Sequence, residues 1–161
     1  MENKLVFGIT YATAIGAGLM AGLFYMFSIF IMRALDRLPP SEGIAAMQSI
    51  NKTIITPLFM LVFMGVTLAS VALIGLAVFK VDGPAKIWLI VGSVSYLVLV
   101  FMLTGGYHVP RNDKLDTFNP ESAEAARFWA DYVKEWTMWN HVRAIGSITT
   151  LASMIMAIRA G

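Results

Sequence analysis

The chain has 161 residues, of which 58% are hydrophobic and only 14% charged, with a mean hydropathy of +0.71. Soluble domains lie near ~45–50% apolar and ~25% charged, so the excess calls for lipid rather than a larger core. The chain has no cysteine, which excludes disulfides, thiolate metal sites and thiol nucleophiles, and a net charge of +2 without a basic run gives no nucleic-acid surface.

The charges fall in blocks. Residues 5–32 contain no Asp, Glu, Lys or Arg, and neither do residues 53–79 or 87–110. A bilayer core of ~30 Å needs about 20 helical residues, and backbone facing lipid must satisfy its own amides. The sequence therefore predicts one all-α membrane domain, a bundle of four transmembrane helices at about 5–34, 54–80, 86–108 and 136–159. The first run is longer than the ~7–15-residue apolar core of a signal sequence. Ala14, Gly18 and Gly22 recur on one stripe of it, a pattern that lets helices approach closely and offers a homo-oligomer interface.

After the first run, Pro39-Pro40 stops the helix. Ser41 is the expected N-cap of a short helix through Met47 and Asn51, and Pro57 falls early in the second span. The second and third spans join through VDGPAK, a turn centred on Gly83-Pro84. In the long third connection, Asn119 is the expected cap and Pro120 the first residue of a short interfacial helix over 120–135. Ala125, Phe128, Trp129, Tyr132, Val133 and Trp136 form its apolar face, and Trp129, Trp136 and Trp139 suit the headgroup level. Basic residues are more numerous on the face of the two long loops, which the positive-inside rule places in the cytoplasm.

Both long connections open on one membrane face, and the unusual polar residues gather there. The first span offers Tyr25 and Ser28, and the approach to the second offers Gln48 and Asn51. The third ends in Tyr107, His108 and Asn112, and the fourth begins with Trp136, Trp139, Asn140, His141 and Arg143. Polar groups at membrane depth are costly and tend to mark function. At 100° per residue, Trp136, Trp139, Asn140, Arg143 and Ser147 share one face, with His141 on its flank. Gly105, Gly106 and Pro110 predict that the third helix breaks at the rim of a polar pocket. A histidine general base is one chemistry open to such a pocket. Two histidines without cysteine make a weak metal set, and the 11 methionines suit core filling better than copper. A haem between His108 and His141 stays open.

YHVPRNDKLD (Tyr107–Asp116), WTMWNHVR (Trp136–Arg143) and RLPPSEGIAAMQSIN (Arg37–Asn51) resemble the anthrone oxygenase-like family of small integral membrane proteins. The resemblance implies a four-helix membrane bundle that oxidises a polyketide anthrone, or a related phenol or quinol, with molecular oxygen as co-substrate and no other cofactor. It implies a base, His108 or His141; oxyanion donors, Arg143, Asn140 and Asn112; and an aromatic slot from Trp136, Trp139 and Tyr107. Tyr25, Ser28, Gln48 and Asn51 complete the expected lining. The alternatives are a protein that binds a quinone, lipid or haem without turning it over, and a structural membrane subunit.

Overall fold

The computed structural model describes residues 4–161, and these form five helices. They are α1 (Lys4–Asp36), α2 (Pro40–Thr53), α3 (Pro57–Lys80), α4 (Pro84–Asp116) and α5 (Ala123–Ala160). All but α2 are long and apolar enough to cross a membrane. They form a four-sided ring in the order α1, α5, α4, α3, with neighbours antiparallel.

Local chemistry sets the boundaries. Pro40, Pro57 and Pro84 each open a helix, where a missing N–H costs nothing. The Thr56 hydroxyl accepts from the Phe59 amide at 3.2 Å. Gly83 turns the chain with φ 74°, a conformation natural to glycine. The cap of α2 is Pro39 rather than Ser41, because Pro40 already has helical geometry at the first position. Asn119 closes a local turn by accepting from the Glu121 amide, and the true cap of α5 is Ser122, whose hydroxyl accepts from the Ala125 amide.

The amphipathic segment before the fourth span is helical and runs into that span without a break. The resulting α5 has 38 residues and runs about 57 Å, well beyond a ~30 Å bilayer core. The third helix does not break at Gly105–Pro110 either. It widens into π-helical turns over Tyr96–Met102 and Thr104–His108, then resumes as α-helix to Asp116. A π turn shifts the amide–carbonyl pairing by one residue, and Pro110 falls at the start of the next α-helical segment, where it has no bond to break.

Because α1, α4 and α5 all overrun α3 at one end, α2 folds across that end as a cap. A cluster including Met32, Ile44, Met47, Leu115, Trp129 and Tyr132 packs beneath it. A second cluster around Phe24, Phe63, Tyr96 and Val100 fills mid-bundle, and a third around Leu73, Leu89 and Met154 fills the far end. Small residues set the seams. A Cβ on Gly146 would stand 2.7 Å from Leu99 Cβ, and one on Gly92 2.8 Å from Ser153 Cβ. Across this α4–α5 seam, Thr150 donates to the Gly92 carbonyl at 2.9 Å and Ser95 to the Gly146 carbonyl at 3.1 Å. On α1 the tight contact is at Gly16, whose Cβ would meet Val66 at 2.4 Å. Gly22 faces open space and Gly18 only touches Leu151.

Candidate functional site

Between the capping cluster and the mid-bundle cluster lies a cavity of about 120 Å³. All five helices contribute to its wall. Phe24 and Phe27 come from α1, Met47 and Asn51 from α2, Phe59 from α3, Thr104, His108 and Asn112 from α4, and Trp136 and Arg143 from α5. The lining is apolar except for a few side chains, the usual composition of a small-molecule site.

Arg143 is the main anomaly. It is 5% exposed, and no carboxylate among the described residues forms an ion pair with it. One guanidinium nitrogen donates to Asn140 Oδ1 at 2.8 Å and another to the Thr104 hydroxyl at 3.4 Å. The guanidinium lies 4.5 Å from the Phe24 ring centroid and 5.0 Å from that of Trp136, so ring faces substitute for part of its lost hydration. Its Nε has no partner. A cation taken out of water without a counter-ion is costly, and an anion in the cavity would offset that cost.

His108 faces the same space and is 1% exposed. Its Nδ1 stands 3.4 Å from the Leu103 carbonyl, which can only accept, a contact that suits the tautomer protonated at Nδ1. In that tautomer Nε2 is an acceptor; it has no hydrogen-bond partner, and the Trp136 carbonyl lies nearby outside bonding geometry. Edge-on contacts with Trp136 at 5.1 Å and Tyr107 at 5.4 Å fix the ring. A third unpartnered atom is Nδ2 of Asn51, which lies near the Tyr132 hydroxyl without bonding it well. Three residues from three elements thus line one cavity and each carries an unsatisfied buried nitrogen, where a buried polar group normally has a partner.

Asn112 has a settled orientation. Its Oδ1 accepts from the Tyr132 hydroxyl at 2.8 Å and from Trp136 Nε1 at 3.0 Å, and an indole N–H can only donate. Its amide NH2 remains for a ligand. Asn140 does not line the cavity. It donates to the Phe24 carbonyl at 2.7 Å, just before the π turn Phe27–Ile31, and to the Ser28 hydroxyl within that turn at 2.8 Å, while its oxygen holds Arg143. Asn140 and Ser28 are therefore positioning residues.

Other residues singled out in the sequence lie apart. His141 is exposed and lines a separate shallow groove with Arg33, Asp36 and Lys134. Tyr25 is 50% exposed on the outer face of α1. Gln48 ties the cap to the end of α4, donating to the Leu115 and Phe118 carbonyls at 2.9 and 3.0 Å. Tyr107 and Trp139 pack as a tilted pair with ring centroids 5.6 Å apart outside the cavity, and the Tyr107 hydroxyl donates to Glu135, which pairs with Arg111. Among the described residues no three His, Cys, Asp or Glu cluster closely enough to hold a metal.

Phe24, Thr104 and Tyr132 were missed. Phe24 was legible: it lies four residues before Ser28, on the same helix face, whereas Tyr25 lies 100° around. Thr104 carried no signal, since it sits in an unbroken apolar run.

Four helices of membrane-spanning length thus surround an apolar cavity whose wall includes His108 and the buried, unpaired Arg143. The chain matches the anthrone oxygenase family over residues 59–153, more than half its length, and belongs to that family. No curated protein and no solved structure matches it.

Proposed function

We propose that the protein is an integral membrane oxygenase that converts an activated methylene of an anthrone, or the equivalent position of a related phenol or quinol, to a carbonyl with O2. The observation that carries this reading is the pairing in one cavity of His108, whose Nε2 has no partner, with Arg143, an unpaired buried cation. Family membership supports the reaction class.

His108 removes a proton from the methylene between two aryl rings. The charge moves onto the conjugated oxygen, where Arg143 and the amide groups of Asn112 and Asn51 receive it. The enolate passes an electron to O2, the radical pair combines to a peroxide anion at carbon, and the proton held by His108 returns to it to give the hydroperoxide. Loss of water then leaves the carbonyl, so one oxygen atom of O2 enters the product and the other leaves as water. The apolar walls keep bulk water from quenching the enolate. The reaction uses O2 as co-substrate and no other cofactor. Asn140 acts only by holding Arg143.

The test is oxygen uptake by the protein in nanodiscs with a model anthrone, set against empty nanodiscs, because anthrones autoxidise. Uptake well above background that is lost in His108→Ala supports the reading. Uptake no faster than empty nanodiscs defeats it, and a chromophore retained through purification would instead favour a binding protein. The capped end of the bundle faces the cytoplasm in this reading. Because the chain lacks cysteine, single cysteines at Thr117 and Asp82 labelled with an impermeant maleimide would locate each end; labelling of Thr117→Cys from outside the cell would reverse the orientation.

A further inference from the structure

The cavity does not end at the cap. Its wall at Leu23, Ile54 and Phe59 is shared with a groove of about 340 Å³ on the outer seam of α1 and α3. That groove in turn shares Leu19 and Val62 with a third, of about 310 Å³, that reaches Ala12 and Ala69. The three spaces adjoin in series along a track from Leu23 to Ala12, about 16 Å along α1, each sharing wall residues with the next.

The track has two characters. At the top are the unpartnered nitrogens of His108, Asn51 and Arg143. Below, no charged residue lines it. Thr13 spends its hydroxyl on the Ile9 carbonyl, and Thr56 spends its own on the Phe59 amide. Close approach of the helices at Gly16 makes the floor, and Gly65 faces open space within the lower groove. A polar head site joined to an apolar channel of this length fits one amphiphilic molecule.

We propose that the substrate is an anthrone-type phenol with an aliphatic tail, its ring in the His108–Arg143 cavity and its tail in the α1–α3 track. This rests on the head-site reading above. Lipid chains are as apolar as the tail, so the track adds little affinity. What it supplies is orientation, because a tail lying along α1 presents one edge of the ring to His108.

The experiment therefore reads position. The full chain in nanodiscs is photolysed with 4-dodecyl-1-naphthol bearing a diazirine midway along its tail. A phospholipid with the same diazirine is the control and tail-free 1-naphthol the competitor, whose own binding is read by its fluorescence. Crosslinks to residues 12–19 and 61–69 should exceed those of the phospholipid about tenfold, the ratio set by a ~1.4 kcal/mol preference. Excess 1-naphthol should abolish them. Gly65→Leu, which fills open space, should remove them while leaving 1-naphthol binding intact. Crosslinks spread like those of the phospholipid overturn the proposal. Crosslinks elsewhere that 1-naphthol still displaces overturn the track but leave the head site standing. Absence of 1-naphthol binding, with groove crosslinks that resist competition, defeats both.

Discussion

Arg143→Met separates a cation kept for chemistry from one kept for stability. Methionine preserves the length of the stem and can lie between Phe24 and Trp136. The variant loses the charge-assisted bond to Asn140 at 2.8 Å, worth ~1.5–3 kcal/mol. It also loses two ring contacts, at ~0.5–2 kcal/mol each. Against this, an unpaired ion is no longer held out of water, a relief of several kcal/mol. The terms nearly cancel, so stability should stay within about 2 kcal/mol of the parent. For a chain of this size that is a shift of at most ~4–8 °C in Tm. Oxygen uptake per folded molecule should fall about 10²–10³-fold, the usual cost of removing an oxyanion donor. Intrinsic tryptophan fluorescence on heating and an oxygen electrode read the two quantities on one sample. A variant that melts far below this window yet turns over like the parent would show the cation to be structural, and the oxyanion argument would fail.

His108→Ala should lower uptake ~10²–10⁴-fold, as expected for loss of a general base, and added imidazole should restore part of it; His141→Ala, on an exposed groove, should leave uptake unchanged. Asn112→Leu strands the Tyr132 hydroxyl and the Trp136 indole N–H, so it should cost about 1–3 kcal/mol, read as a lower Tm. Gly146→Val drives a Cβ to within 2.7 Å of Leu99 and should destabilise by ~1–3 kcal/mol, whereas Gly22→Ala enters open space and should leave Tm unchanged.

The architecture was legible because its signal is long and repetitive. Charge-free runs of membrane length leave few alternatives to helices, and two polar connections on one side bring four helix ends together. The convergence of α1, α2, α4 and α5 was therefore visible before any coordinates. What the sequence concealed is rotation and continuity. A linear reading cannot tell that Tyr25 faces outward while Phe24 faces in, unless the full helical phase of α1 is followed. It reads Gly105, Gly106 and Pro110 as breakers because each weakens an α-helix, yet a π turn absorbs all three by changing register. It grouped Asn140 with the ligand donors because its helix face was right, although the Phe24 carbonyl and Ser28 hydroxyl consume both its protons. Partners more than a hundred residues away in the chain have no local trace.

The wall of the cavity is divided along the chain in a way that bears on how such proteins diversify. His108, Asn112, Trp136 and Arg143 lie within the family-matched residues 59–153, whereas Phe24, Met47, Asn51 and Ile54 lie ahead of them. In the proposed reaction the base His108 and the charge-receiving Asn112 and Arg143 thus come from one portion of the molecule, whereas Asn51 and much of the contour that a substrate must fit come from another. Exchange of α1 and α2 between relatives would alter which rings and tails gain admission, and would replace Asn51, while His108, Asn112 and Arg143 stay in place. A library of such N-terminal exchanges, screened against phenols of graded shape, would treat the first two helices as a replaceable die and the last three as the press.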